Sequence, residues 1–337
     1  MNKLENSYNL IKTFYSDPVK TNISPASGFR SRCEFGYKNG SYTMVSNGQK
    51  IHISKLDLAH PLISELMPKL SIKINDSYLL HKKLFQVNFR ANNLNKIIVS
   101  LIYHKEVNTE LLKESSRIAK DLNIEIVLRS KKKLLCTSNE ILEELINSNN
   151  PFYLYQTDQT FFQPNKYMVP RMVNLVESFI KDPKDLLELY CGCGTFSIPL
   201  SRIFNKVFAT ENNRKSMMCL DMAISKNNIS NINYSRLSCD EISEAMSGRL
   251  FNRLKGEKLV DYNFSHLLLD PPRSGLTDDV ISLVNRFENV IYISCNPETY
   301  ARDLSKLIDY KISKIEFFDQ FVNTNHLEIV SLLQKSK

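Results

Sequence analysis

"DLLELYCGCGTFS", residues 185–197, decides the fold: an apolar run of β character enters Cys191-Gly192-Cys193-Gly194 and leaves it as a helix. A strand that ends in a Gly-x-Gly turn and passes at once into a helix opens a βαβ unit. The rhythm continues downstream. "KVFATE" (206–211) precedes a helix over 213–227, and "NINYSRLS", "HLLLD", "VIYIS", "KIEFFDQF" and "LEIVSLLQ" follow in order. Apolar strands alternating with helices predict an α/β fold with a mostly parallel, doubly wound sheet. Only "VNTN" separates the last two strands, so they are expected to form an antiparallel hairpin at the sheet edge.

Upstream the pattern is different. Short strand-like runs, "FRSRCEFGY", "SYTMVSNGQKIHI", "KLFQVNFRA", "KIIVSLIYH" and "EIVLRS", alternate with helical stretches around 60–72 and 108–122. Asn39-Gly40 and Asn47-Gly48 are hairpin turn signals. The reading is an N-terminal α+β module over 1–150, a connecting segment rich in Asn, Gln and aromatics over 151–168, and the α/β domain over 169–337.

The composition, 42% hydrophobic and 24% charged over 337 residues, is that of an ordinary globular chain with room for two cores. Charges interrupt every apolar run of "MNKLENSYNLIKTFYSD", so neither a signal segment nor a membrane span is drawn, and a cytoplasmic location is expected. The seven cysteines, Cys33, Cys136, Cys191, Cys193, Cys219, Cys239 and Cys295, contain no Cys-x-x-Cys pair. That spacing offers no ligand set for zinc or an iron–sulfur cluster, and reduced thiols are expected. The net charge of +8 lies wholly in one half: residues 1–150 carry 22 Lys+Arg against 14 Asp+Glu, residues 151–337 carry 22 of each. Either the first half faces a polyanion or the lysines reflect general residue usage.

Several residues in the second half could carry chemistry. Gly192 would let the backbone approach a nucleotide-like ligand, and Glu211, about 20 residues on, could accept hydrogen bonds from two ribose hydroxyls. The missing third glycine favours S-adenosylmethionine (SAM) over a dinucleotide; a tight β–α turn with a surface acid is the plainer reading. Asp270 ends "HLLLD" before Pro271-Pro272 and points to the same carboxyl edge, as a site residue or as a helix cap in a rigid turn. Cys295 ends "VIYIS" before Asn296-Pro297. It is either a buried thiol acting as a small hydrophobe or, near a helix N-terminus, one inclined to ionise. Glu328, in the apolar "LEIVSLL", faces either a site or solvent at an edge strand.

Taken together and in order, "FFQPN", "LLELYCGCGTFS", "FATE", "DPPRSGL", "YISCNPET" and "FDQF…H-x-E" strongly resemble the RNA uracil-C5 methyltransferases across residues 161–334. "FRSRCEF" and "HKKLFQVNF…VSLIYHK" are similar to the branch that acts on the T loop of tRNA. The resemblance implies a Rossmann-like SAM-dependent methyltransferase domain preceded by an RNA-binding domain. It implies that Gln163, Tyr190, Gly192, Thr195, Glu211 and Asp270 serve the SAM pocket, with Thr195 standing where the family usually has Asn. It gives Cys295 the part of nucleophile and Glu328 that of general base, and makes Arg30, Arg32, Phe85 and His104 candidates for RNA contact. "RSKKK" (129–133) either tracks phosphates or is a solvated loop. A tRNA T arm, no membrane, no metal and a monomer complete the expectation. Methylation of ribosomal RNA, or an inactive RNA-binding module, are the alternatives.

Such chemistry needs these groups. Uracil C5 is a poor nucleophile until a thiolate adds at C6, and the C5 proton must later be removed by a base. The target base must also leave its stack, at a cost of a few kcal/mol.

Overall fold

A computed structural model describes residues 3–46, 48–322 and 324–336. The chain separates into two compact units, one of residues 1–24, 147–154 and 167–337, the other of residues 25–146 and 155–166. The expected boundaries at 150 and 168 therefore need correction at both ends. The first 24 residues fold with the C-terminal unit because Lys20–Ile23 (β1) supplies a strand to its sheet, and residues 155–166 fold with the N-terminal unit.

In the N-terminal unit, Arg32–Lys38 (β2), Ser41–Ser46 (β3), Gln49–Ile53 (β4), Leu84–Ala91 (β5), Ile97–Tyr103 (β6), Glu125–Arg129 (β7) and Leu134–Cys136 (β8) form one sheet in the order β4-β3-β2-β5-β6-β7-β8. The turn at Asn39-Gly40 has positive φ at both residues (52° and 75°), which Asn and Gly tolerate and a two-residue hairpin requires. Asn47 lies outside the described residues, while β3 and β4 pair on either side of it, Ser46 opposite Gln49. Helices Pro61–Asp76 and Thr109–Leu122 lay Ile63, Met67, Leu70, Leu111 and Ile118 against Phe35, Phe89, Val99 and Leu101 of the sheet. Leu142–Ile146 (β9) and Phe152–Gln156 (β10) follow as the chain leaves this unit.

The second unit is an eight-stranded sheet. Besides β1 it contains Asp185–Leu189 (β11), Lys206–Thr210 (β12), Ile232–Ser235 (β13), Phe264–Leu269 (β14), Asn289–Ser294 (β15), Tyr310–Asp319 (β16) and Glu328–Lys335 (β17). Their order is β1-β16-β17-β15-β14-β11-β12-β13. β11 to β15 are mutually parallel, buried runs such as "HLLL" with helices between them, as a sheet covered on both faces demands.

The expected hairpin at the sheet edge is half right. β16 and β17 are antiparallel, but β17 slots between β16 and β15, pairing antiparallel with both. β1 then runs parallel to β16 along its other side, Lys20 opposite Glu316 and Ile23 opposite Asp319. Inserting an antiparallel strand brings the start of β17 to the edge where β14 and β15 end.

Candidate active site

The Gly-x-Gly turn is built on left-handed backbone. Tyr190, Gly192 and Gly194 have φ of 62°, 56° and 91°. A methyl at Gly194 would stand 2.6 Å from Leu220 Cδ1, so that glycine lets the turn pack under helix Arg214–Lys226. A methyl at Gly192 would meet no atom within 4 Å and would project into open space. The Gly192 N–H donates to Glu211 Oε2 (3.1 Å) and the Asn213 N–H to Glu211 Oε1 (2.7 Å), which fixes the carboxylate at the end of β12.

Beside it opens a cavity of about 260 Å³, lined by Tyr190, Glu211, Leu237, Asp240, Thr277 and Val280 among others. Apolar walls with carboxylates at the rim suit an adenosine: the slab is covered by Leu and Val, and acids can accept from hydroxyl and amino groups. The residues present thus fit a SAM-like molecule. Of the expected pocket residues, Tyr190 and Glu211 line this cavity and Gly192 bonds to Glu211. Thr195 is half-buried in the turn. Gln163 is buried in the segment that folds with the N-terminal unit. Leu237, Asp240, Thr277 and Val280 escaped sequence reading, because the segments that carry them hold no motif and only the strand order brings them here.

A second cluster gathers at the ends of β14, β15 and β17. Ser294 pairs with Ile329, so Cys295 and Glu328 are the next residues along the same ladder. Asn296 caps helix Pro297–Lys306, accepting the Glu298 N–H at 3.1 Å, and Pro297 occupies its first turn. Glu328 is 2% exposed, which settles its alternatives against solvent. Burial, then the neighbouring Asp270, push its carboxyl up to about 8, while a hydrogen bond from Gln320 and the Arg273 charge pull the other way. Gln320 Nε2 donates to Glu328 Oε2 at 2.6 Å.

Of the two readings open for Cys295, its surroundings oppose the ionised thiol despite the helix terminus. Burial, Glu328 and Asp270 raise it to about 11, outweighing Arg273. Asp270 thus acts electrostatically on Cys295 and Glu328 and is not among the residues lining the adenosine-sized cavity. Beneath the cluster Glu188, fully buried on β11, accepts from the Ser197 hydroxyl and is raised to about 8 by burial.

The loop joining Asp270 to Arg273 is held from the helix that follows Cys295. Asn296 Nδ2 and Thr299 Oγ1 both donate to the Arg273 carbonyl at 3.2 Å, and Arg302 Nη2 donates to the Ser274 carbonyl at 2.8 Å. Asp303, fully buried, accepts from the Leu276 N–H (2.8 Å) and the Tyr292 hydroxyl (2.6 Å).

In the N-terminal unit Phe85 and His104 stack face to face, ring centroids 3.9 Å apart and planes at 18°. Arg32 is committed within its own unit, to the Thr160 and Asp158 carbonyls and to Glu34. Arg30 Nε donates to the Arg32 carbonyl at 2.9 Å. Of the "RSKKK" run, Arg129 pairs with buried Asp158 at 2.5 Å, leaving the three lysines exposed.

The model of the tRNA (uracil-5-)-methyltransferase family matches residues 1–336. The chain belongs to that family. The tRNA/tmRNA (uracil-C(5))-methyltransferase of Saccharophagus degradans is 39% identical over 334 residues, covering 96% of this chain and 92% of its own. The enzyme of the same name from Aliarcobacter butzleri is 41% identical over 337 residues, covering 95% and 88%. Among solved structures, Pyrococcus abyssi tRNA (uracil-54, C5)-methyltransferase in complex with S-adenosyl-L-homocysteine superposes with a TM-score of 0.79, at 20% identity, over 98% of this chain and 82% of that one. It shares the fold, a Rossmann-like methyltransferase domain with an N-terminal domain. Among the described residues no group of three or more His, Cys, Asp and Glu is arranged to hold a metal ion, and no helix is long and apolar enough to cross a membrane.

Proposed function

We propose that this protein methylates C5 of the T-loop uridine of tRNA, the position called uracil-54 in its archaeal structural neighbour, with SAM as methyl donor. The bacterial relatives are named for tmRNA as well as tRNA. The observation that carries the reading is the adjacency of Cys295 and Glu328 on one ladder beside Asp270 and Arg273.

In this reading Cys295 Sγ, once deprotonated, bonds to C6 of the extruded uracil, and the C5–C6 π electrons move onto the ring carbonyl. Bound SAM would supply an electrophilic methyl for C5, its S–CH3 bond breaking to leave S-adenosylhomocysteine. Glu328 then removes the C5 proton, the electrons re-form C5=C6, and the C6–Sγ bond breaks to return the thiolate. Arg273 stabilises that thiolate. Tyr190, Gly192 and Glu211 hold the donor, and Thr195 keeps a donor hydroxyl in the same turn. The Phe85–His104 stack offers an aromatic face for RNA; Arg30 contributes charge, and Arg32 shapes the turn it holds.

The test uses T-arm RNA carrying 5-fluorouridine at the target. With SAM the wild-type protein should form a covalent RNA adduct stable in denaturant, since fluorine cannot be abstracted, and Cys295→Ala should form none. No adduct with wild type, or an unchanged adduct with Cys295→Ala, refutes the nucleophile. A ribosomal transcript accepted in preference to tRNA refutes the substrate.

A further inference from the structure

We infer that Gln320 is a positioning residue for the reaction's general base, holding the Glu328 carboxylate ready to take the C5 proton; the inference rests on the reading of Glu328 given above. Three observations carry it. Gln320 directly follows β16, and β16 pairs with β17 so that Phe318 lies opposite Glu328, which brings the end of one strand over the start of the other. Both side chains are sealed from water, Gln320 at 0% and Glu328 at 2% exposure. Between them runs a single 2.6 Å hydrogen bond, the amide N–H donating to Glu328 Oε2.

A buried carboxylate without a donor stays protonated, and a protonated acid abstracts nothing. Here the surrounding charges oppose ionisation in part. Asp270 disfavours it and Arg273 favours it, while Cys295 stands beside the carboxyl. Asp319, next to Gln320 on β16, is taken up by Lys3 Nζ at 2.5 Å. The Gln320 amide is uncharged, so it stabilises the carboxylate without competing for the proton. It also directs one oxygen, leaving Oε1 to act.

The step it governs is the last one, removal of the C5 proton with release of Cys295. Loss of the donor should therefore slow breakdown of the covalent adduct more than its formation. Gln320→Met keeps the length and removes the donor; Gln320→Glu keeps the shape and puts an oxygen where the NH2 stood. With unmodified T-arm RNA and SAM, both variants should lower kcat at pH 7 about tenfold with KM for RNA unchanged, and move the alkaline-rising limb of kcat upward by about one pH unit. Both should accumulate a methylated, denaturant-stable RNA adduct that wild type does not. Glu328→Gln, run alongside, should accumulate the same adduct at every pH. An unshifted limb and no adduct in both Gln320 variants, with adduct in Glu328→Gln, overturns the inference and leaves the base standing. Full turnover by Glu328→Gln overturns the base and the inference together.

Discussion

Cys295 and Glu328 are both less acidic than their types, at about 11 and about 8, and burial is the first cause for each. A reaction that needs both ionised should accelerate with pH, and kcat/KM for methyl transfer from labelled SAM to tRNA is expected to climb severalfold between pH 7 and 9. A profile flat over that range would contradict the assignment. Stability should run the other way. A carboxyl whose folded-state pKa is raised contributes stability that is complete below its unfolded value near 4.5 and is lost as pH rises through about 8. Glu328→Gln should accordingly flatten the fall in thermal midpoint between those pH values and raise the midpoint above pH 8, read by calorimetry. At this scale much of the site was legible: strand ends, a Gly-x-Gly turn and a lone acid in an apolar run point to Cys295, Glu211 and Glu328. Gln320 was not, because its partnership with Glu328 exists only in the register between β16 and β17, which eight residues of separation do not announce. Which of the two readings of the thiol holds was not legible, because the helix terminus is local and visible, whereas its burial and the two opposing carboxylates, Asp270 after β14 and Glu328 of β17, arise only from the fold.

The loop from Asp270 to Leu276 shows how one element fixes another. It makes no strand or helix, yet Asn296, Thr299, Arg302 and Asp303 hold its backbone from one helix and its cap, which ties Arg273 to the segment that follows Cys295. Gly275 is the tight point, with φ of 74° and space so small that an added methyl would lie 2.5 Å from Asp303 Oδ2 and 2.6 Å from Arg302 Nη2. Gly275→Ala should cost about 2–4 kcal/mol from strain and overlap. It should also reduce kcat beyond what lost folded protein explains; denaturant melts and active-site titration with 5-fluorouridine RNA separate the two. The periodic strands β11, β12, β14 and β15 announce themselves because burial on both faces leaves them uniformly apolar. β1, "KTNI", has no such pattern and is recognisable only through β16, its partners lying 296 residues away.

On the scale of the whole chain, the excess positive charge belongs to the half that ends at residue 150, and polyanion binding through lysines is governed by counterion release. Lys82 and Lys83, exposed and close in sequence to the Phe85–His104 stack, are the test. Replacing both with Ala should weaken tRNA binding alike for cognate and altered T-loop sequences and make the slope of log Kd against log salt shallower by about 1–2, measured by filter binding, with SAM affinity unchanged. A loss confined to the cognate sequence would speak for base readout instead. The place of β1 has a consequence for biosynthesis. Residues 25–146 form most of a unit that has all its strands in hand as soon as they leave the ribosome. The eight-stranded sheet has no such luck: β1, the strand at one of its two edges, emerges first and waits, unpaired, until β16 is made. For that interval β1 has no partner; a sheet formed without β1, in turn, leaves the outer side of β16 as an open edge of the kind that recruits strands from other chains. Residues 147–337 produced alone would keep that edge of β16 uncovered, so the fragment should aggregate, and residues 1–24 supplied in trans or fused after residue 337 should restore its solubility.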